Sequence, residues 1–238
     1  MIATAIALEC VEEIGSTSDE LKARAAGGFT GECALLTRRQ PGGHGRLGRA
    51  WVSIEGNLHL SVLLRPTALR FPGHWSLLAG VALADAVGGL LPAAGRVGLK
   101  WPNDLLLDGG KLAGILLEAQ ASAAPWLVIG FGVNLAGAPQ AAGRPVATLA
   151  GQCDVPAPEN FARMLLERFS HWRAIYQQEG FGPVREAWLG IGHRPGELLV
   201  AGAGERRIEG VFCGIGADGS LLIDTPDGPR RVTAGEVS

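Results

Sequence analysis

Lys100-Trp101-Pro102-Asn103-Asp104-Leu105-Leu106-Leu107-Asp108-Gly109-Gly110-Lys111-Leu112-Ala113-Gly114-Ile115-Leu116-Leu117-Glu118 is the stretch on which the fold turns. Two short apolar runs flank Asp108-Gly109-Gly110, a turn signal that joins antiparallel strands. The pattern predicts strands at 96–100, 104–107 and 111–119. Lys111 then opens an apolar strand, at a sheet end or on a ligand face. A lysine placed there can neutralise a carboxylate and a phosphate together without acting as a nucleophile. The plainer alternative is a solvated turn lysine. Asp104, on the other side of the hairpin, reads as a turn-capping carboxylate or as a second functional group. Only three of the 21 basic residues are lysines, namely Lys22, Lys100 and Lys111. Two of the three fall in this stretch, by chance or because a compact three-donor ammonium is wanted there.

Working outward, residues 5–11 predict a strand, and Ser16-Thr17-Ser18-Asp19 predicts a helix start with Ser16 or Thr17 as cap. Asp19 and Glu20 complement the positive helix end, and the helix runs to Ala26 with Gly27-Gly28 as its stop. Strands follow at 32–37 and 57–64, separated by a glycine-rich loop from Pro41 to Gly48. Residues 75–90 are Ala/Leu/Val-rich and predict a buried helix. Residues 125–133 predict another strand. Phe161, Leu165, Phe169, Trp172 and Tyr176 mark one face of a helix over 159–178, a core stripe and not a cofactor box. After Gly190 the texture changes. Short strands at 197–201, 206–214, 220–224 and 229–233, broken by Ala217-Asp218-Gly219 and Pro226-Asp227-Gly228, predict a small all-β module, read as a five-stranded barrel. The whole is an α+β protein: a mixed central sheet with flanking helices over 1–190, then a small β-barrel domain over 191–238.

Composition removes several function classes. The 238 residues carry 21 Lys+Arg against 23 Asp+Glu, a net charge of −2, so there is no basic field for nucleic acid or an anionic membrane. No apolar run approaches a membrane span. The apolar start, Met1 to Leu8, lacks the basic flank of a signal peptide. Cys10, Cys33, Cys153 and Cys213 are widely spaced, and the five histidines show no metal-ligand spacing. The expectation is a cytoplasmic protein with reduced thiols and no Cys/His metal site.

Two further islands carry chemistry. Gly43-His44-Gly45-Arg46-Leu47-Gly48 matches G-x-G-x-x-G literally. A dinucleotide fold would need a helix opening at the third glycine and an acidic residue about 20 positions on. Arg49-Ala50-Trp51-Val52-Ser53 is strand-like instead, and the region near 68 offers no acid. What remains is a flexible loop with exposed N–H groups and two arginines, suited to wrapping an anion. In Gly130-Phe131-Gly132-Val133-Asn134-Leu135, small residues at the end of a buried strand admit something close to the backbone. Asn134 is either a strand-terminating turn residue or a reader of a ligand amide or purine edge.

In their order, Ser16-Thr17-Ser18, Gln40 with Gly43–Arg49 and Trp51, the Lys-Trp-Pro-Asn-Asp and Lys-Leu-Ala-Gly-Ile-Leu pair, and Gly132-Val133-Asn134-Leu135 resemble the motifs of the biotin–protein ligases. The resemblance covers nearly the whole chain. It implies a catalytic domain like that of class II synthetases and an SH3-like C-terminal domain. No helix-turn-helix precedes the motifs, so the chain resembles the form that is a ligase only. The implied reaction has two steps: biotin and ATP with Mg²⁺ give biotinyl-5′-AMP and pyrophosphate, and a lysine of a biotin carboxyl carrier protein then takes the biotinyl group. ATP, Mg²⁺ and biotin are the implied co-substrates, with no prosthetic group. The implied partner is the carrier of acetyl-CoA carboxylase or another biotin-dependent carboxylase, with no nucleic acid or membrane. The protein itself would be a monomer or homodimer.

By that resemblance Ser16, Thr17, Ser18, Gln40, Gly43, His44, Gly45, Arg46, Trp51, Lys111 and Gly114 bind biotin. Arg46, Arg49, Trp51, Asn103, Lys111 and Asn134 face ATP, and Lys111 and Arg46 carry catalysis. Asp104 is a metal or loop-ordering carboxylate. The chain departs from the family pattern twice. His44 stands where the loop usually has Arg, which matters little if that position acts through its backbone. Ser18 stands in place of the more usual Asn, with a shorter reach and without the amide's paired donors. Two alternatives share many of these residues: a lipoate or octanoate ligase, and a non-catalytic biotin- or carrier-binding protein. A polar Ser/Thr/Gln cluster suits a ureido ring better than a plain acyl chain, because buried N–H and C=O groups must be paired.

Overall fold

All seven residues of the strand Leu58–Leu64 are buried, so the strand is covered on both faces, although Leu58-His59-Leu60-Ser61-Val62 alternates in hydropathy. It is the third strand of the molecule. The computed structural model describes residues 6–92, 96–121, 124–139, 145–202 and 207–237. Within them the chain runs β1 (Ala7–Glu13), α1 (Thr17–Ala26), β2 (Cys33–Arg39), β3 (Leu58–Leu64), α2 (Pro72–Gly88), β4 (Val97–Lys100), β5 (Asp104–Leu107), β6 (Gly110–Gln120) and β7 (Trp126–Val133). It continues through α3 (Pro158–Glu179), α4 (Gly182–Ile191), β8 (Leu198–Ala201), β9 (Ile208–Ile215), β10 (Leu221–Thr225) and β11 (Gly228–Val232). Ala5 and Arg206, predicted strand starts, lie outside the described residues, as does Met1–Thr4.

Seven strands form one sheet in the order β1-β2-β3-β7-β6-β5-β4. β1 and β2 pair in parallel across α1, and every other pair is antiparallel. The sheet is therefore mixed, as expected. Its two faces differ. Leu60, Val62 and Leu64 of β3, with Leu127, Ile129, Phe131 and Val133 of β7, join a large core under α2, α3 and α4. On the other face Leu63 and Val128 join a smaller cluster with Leu21 and Ala25 of α1 and Cys33 and Leu35 of β2. Further along that second face the strand positions are Ser61, Gly130, Gly132 and Gly114, cross-strand neighbours of one another. Only the first turn of α1 reaches them, at Ser61 and Gly130, and three of the four lack a side chain, so a cleft opens beside the helix start.

α1 begins and ends as its sequence dictates. Ser16 Oγ accepts from the Asp19 amide at 3.3 Å, Asp19 and Glu20 occupy the first turn, and the Gly27 amide closes on the Ala23 carbonyl. Gly28 follows at φ +92, a conformation glycine adopts at no steric cost. α4 is absent from the sequence-based expectation. Gly180, Gly182, Pro183, Gly190 and Gly192 punctuate that segment and conceal a ten-residue helix with Pro near its start. The expected domain division after residue 190 falls at the last residue but one of this helix, and β8 begins at Leu198.

β8 to β11 form a four-stranded antiparallel sheet in the order β11-β10-β9-β8. The sequence predicts a five-stranded barrel here. In place of a fifth strand, the described residues show a single bridge, Val237 to Ala201, which brings the chain back beside β8. The small sheet docks through the β9–β10 turn. His74 Nε2 and the Ala217 carbonyl are 2.9 Å apart, and Trp101 Nε1 donates to the Gly219 carbonyl at 3.1 Å.

Candidate active site

The cleft floor is built from absence. A Cβ on Gly132 would lie 2.3–2.7 Å from the Trp51 ring, and one on Gly114 would lie 3.2 Å from it. The indole therefore lies flat over two glycines that only glycine can supply. Its N–H is buried and has no hydrogen-bond partner among the described residues, a donor available to a ligand acceptor. A Cβ on Gly130 would meet Ser18 Oγ at 2.7 Å, so that hydroxyl occupies the space over the third glycine.

Beside this floor sits a buried hydroxyl-amide cluster. Thr17 Oγ1 and Ser61 Oγ are 2.8 Å apart, Ser18 Oγ and Ser61 Oγ 2.9 Å, and Gln40 Oε1 accepts from both the amide and the hydroxyl of Thr17 at 3.3 Å. All four residues are buried. Behind them the Gln40 amide donates to Ser53 Oγ at 3.1 Å, which contacts His59 Nε2 at 3.0 Å. Burial pushes the His59 imidazole below its ordinary pKa, so it stays neutral and acts as a fixed support. Ser61 is a site residue that the motif reading misses.

The opposite end of the cleft is cationic. Lys111 reaches it because of a bulge. Leu106 pairs with Lys111 and Leu105 with Ala113, leaving Leu112 as an extra residue in β6. Leu112 and Ala113 both enter the large core, and Lys111 is turned to the same face as Gly114 and Asp104. Its Nζ sits 2.7 Å from Asp104 Oδ1 and 5.9 Å from the Trp51 ring centroid. The bulge is held from behind. The Lys111 amide donates to the Pro145 carbonyl at 2.9 Å, and Asn134 Nδ2 donates to the carbonyls of Ala147 at 3.0 Å and Lys111 at 3.4 Å.

Residues 43–51 fold over this end as a closed loop. The Gly45 amide donates to the Arg49 carbonyl at 2.7 Å and the Trp51 amide to the Gly43 carbonyl at 2.9 Å. At its tip Leu47 is 87% exposed at φ +58, a conformation disfavoured for a branched side chain. Arg46 turns inward and donates to Asn103 Oδ1 at 3.2 Å, while Asn103 Nδ2 donates to the Ile115 carbonyl at 2.7 Å. Asn103 thus ties the loop to the sheet. Burial, with the charge of Arg49 added, disfavours the charged form of Arg46, which makes no ion pair among the described residues. Such a desolvated guanidinium favours an incoming anion. Arg49 instead pairs with Glu236 of the small domain. His44 Nδ1 lies 3.2 Å from the Gly42 carbonyl and 3.7 Å from Asp19 Oδ2.

These groups line one cavity of about 410 Å³, within the range of small-molecule sites. Ser16, Thr17, Ser18, Gln40, His44, Gly45, Arg46, Arg49, Trp51, Asn103, Asp104, Lys111, Gly114 and Asn134 all reach it. Gly43 does not. It is buried behind the loop, where a Cβ would meet Gln40 Nε2 and the Trp51 carbonyl at 2.9 Å. Ser61, Gly130, Glu236 and Val237 line the cavity as well.

The pattern of the biotin/lipoate A/B protein ligase family matches residues 27–134, and that of the biotin protein ligase C-terminal domain matches residues 200–238. Over 223 residues the chain is 39% identical to the biotin–[acetyl-CoA-carboxylase] ligase of Paracoccus denitrificans, covering 90% of this chain and 93% of that relative. The chain belongs to the biotin protein ligase family.

A second relative, the biotin–[acetyl-CoA-carboxylase] ligase of Mycobacterium tuberculosis, is 36% identical over 97% of this chain and 88% of its own. Among solved structures, a biotin protein ligase from Aquifex aeolicus in complex with biotin and ATP superposes with a TM-score of 0.83 at 26% identity, covering 98% of this chain and 97% of that one. The fold is that of biotin protein ligases, with the small antiparallel sheet as their SH3-like C-terminal domain. Arg46, Arg49 and Lys111 place positive charge at one end of this cavity. Among the described residues no three His, Cys, Asp or Glu cluster to cage a metal. Mg²⁺ is commonly held by one or two carboxylates together with substrate phosphates. Asp104 fits that mode, since it is a carboxylate on the cationic side of the cavity.

Proposed function

We propose that this chain is an ATP-dependent biotin–protein ligase acting in two steps within the one cavity. The observation that carries this is the division of the cavity: a buried hydroxyl-amide cluster at one end, and Lys111, Arg46 and Arg49 at the other. Thr17, Ser18, Gln40 and Ser61 hold the ureido ring, whose N–H and C=O groups need buried partners. Trp51 covers the ligand, with Ser16, Gly43, Gly45 and Gly114 shaping the backbone around it. His44 acts through its backbone.

In the first step a biotin carboxylate oxygen attacks the α-phosphorus of ATP, and the bond to the β-phosphate oxygen breaks, giving biotinyl-5′-AMP and pyrophosphate. Lys111 bridges carboxylate and α-phosphate, offsetting their repulsion, and Arg46 and Arg49 stabilise the polyphosphate. Asn103 positions Arg46, and Asn134 supports Lys111 from the nucleotide side. Asp104 would hold Mg²⁺, which when bound neutralises phosphate charge. In the second step the ε-amine of an acceptor lysine attacks the anhydride carbonyl, a C–N bond forms, and AMP leaves. The acceptor is a biotin carboxyl carrier protein, of acetyl-CoA carboxylase or another biotin-dependent carboxylase; the relatives' names give acetyl-CoA carboxylase as their substrate. The working unit is a cytoplasmic monomer or homodimer that needs no nucleic acid, divided into a ligand-binding domain up to α4 and the SH3-like domain beyond. No helix among the described residues is long and apolar enough to cross a membrane.

The test is exchange of labelled pyrophosphate into ATP with Mg²⁺, run with biotin beside octanoate and lipoate. Exchange with biotin alone is expected, with a loss of about 10²–10³-fold in Lys111→Ala. Exchange with octanoate or lipoate would assign a different acid to the same machinery. No exchange with any acid, in folded protein, would overturn the reading.

A further inference from the structure

His193 lies in the segment that joins α4 to the small sheet. It is 8% exposed, between Trp188 of α4 and Phe212 of β9. Its Nε2 receives the backbone N–H of Trp101 at 3.4 Å, and its Nδ1 lies 3.1 Å from Glu197 Oε1. A backbone N–H can only donate, so Nε2 must carry a lone pair, and the ring proton sits on Nδ1 toward Glu197. The indole N–H of the same Trp101 donates to Gly219 of the small sheet. Both polar donors of Trp101 are thus spent on the C-terminal side of the molecule. Two residues on is Asn103, which anchors Arg46, and three on is Asp104, which pairs with Lys111.

We infer that His193 is a positioning residue of the ligase site: by accepting the Trp101 amide it fixes the 101–104 segment and, through Asn103 and Asp104, sets Arg46 and Lys111. The inference rests on the adenylating reading above. It also predicts a dependence on protonation. A proton on Nε2 would oppose the Trp101 N–H and release the segment. The charged groups facing His193 are Glu197 and, more remotely, Lys100, while α4 and β9 present Trp188 and Phe212. Burial holds the imidazole below its ordinary pKa despite Glu197, with Lys100 acting in the same direction, so the neutral form serves at pH 7. His74, the other buried histidine at this junction, behaves differently. Both its partners, the Tyr176 hydroxyl at 3.1 Å and the Ala217 carbonyl, can accept, so its contacts survive protonation.

The experiment uses the full chain and two readouts: hydrogen exchange at the Trp101 amide, and biotin-dependent pyrophosphate exchange kinetics. His193→Leu keeps the bulk and removes the acceptor. His193→Gln retains an acceptor that does not titrate. His193→Leu is expected to speed Trp101 amide exchange by about tenfold, the scale of one ordinary hydrogen bond, and to lower kcat with little change in biotin KM. His193→Gln is expected to restore both. In the wild type, lowering the pH from 7 to 5.5 is expected to raise Trp101 exchange beyond its intrinsic pH dependence, and His193→Gln is expected to remove that rise. Unchanged Trp101 exchange in His193→Leu, or faster exchange with unaltered kcat, would overturn the inference. Should His193→Leu fail to fold, an identical acid response in the wild type and His193→Gln would overturn it as well. The amide readout is independent of activity, so a wild type that exchanges no pyrophosphate would refute the adenylating reading while the Trp101 contact is still measured.

Discussion

A missing side chain decides most at the level of single residues. Gly132 is the sharpest case, because a methyl group there would enter the Trp51 ring. Gly132→Ala is expected to displace the indole and raise the KM for biotin by at least about tenfold, the effect of roughly 1.4 kcal/mol, measured by pyrophosphate exchange. Titration of biotin against wild type and Ser18→Asn tests the other departure from the family pattern. Ser18 has a single hydroxyl already shared with Ser61, so an amide that adds a donor is expected to tighten biotin binding. An unchanged Kd would show that Ser61 alone supplies that contact. Much of this chemistry is legible in the sequence, because Gln40, Arg46, Arg49, Trp51, Lys111 and Asp104 sit in loops or at strand ends, where polar residues stand out. Ser61 escapes that reading. The alternation of Leu58-His59-Leu60-Ser61-Val62 sets it on the face opposite the leucines, but nothing in the strand itself tells that Thr17 and Ser18 of α1 lie over that face. The route by which Lys111 reaches the cleft is also hidden, since the extra residue Leu112 opens a run, Leu112 to Leu117, with no polar side chain to mark the break in alternation.

Elements are fixed by their punctuation, and the punctuation can mislead. α1 is legible because cap, acidic first turn and terminal glycines agree. α4 escapes because glycine and proline at both ends imitate a loop, and its ten residues are too few for a strong helical period to emerge. α1 also illustrates how packing reaches the ligand. Leu21 is fully buried against Leu35, Leu63 and Val128, and it lies one turn after Thr17 and Ser18. Leu21→Ala is expected to cost about 2–5 kcal/mol by the cavity it leaves, seen as a lower denaturation midpoint. Because the loosened helix carries two of the hydroxyls, biotin KM should also rise under conditions where the variant is still folded. A variant that loses stability but keeps its biotin KM would show that the cluster is held by Gln40 and Ser61 alone.

Across the whole molecule the buried histidines set the pH response. Burial depresses His59, His74 and His193 below the ordinary imidazole value. The unfolded chain therefore binds protons before the folded one does, and stability rises with pH wherever that holds. Stability is expected to be fully present above about pH 6.5, the ordinary imidazole value, and to fall as pH drops below it. The slope approaches 1.4 kcal/mol per pH unit for each histidine that titrates only on unfolding. Urea denaturation between pH 7.5 and 5 checks this, and the slope should shrink in His59→Asn if that variant folds. Depressed carboxylates such as Glu32, where burial is outweighed by the Arg173 pairing and the Arg65 amide together, add their own loss only at lower pH. The all-β character of the last stretch is legible, since only strands, β8 to β11, follow α4 among the described residues. The sequence does not reveal how the parts interlock, because the joining bonds run from Trp101, His74 and Arg49 to backbone carbonyls and a carboxylate far along the chain.

One of those joins bears on how the protein is handled. Glu236 pairs with Arg49, Val237 bridges to Ala201, and both line the cavity. An affinity handle or fluorescent reporter inserted directly after Val237 would start beside the pocket, next to the loop that bears Arg46 and Arg49. A fusion ahead of β1 would instead extend from the outermost strand of the large sheet, at the edge opposite β4. Purification and labelling schemes that use the Glu236–Val237 segment would therefore obstruct the pocket that they are meant to report on.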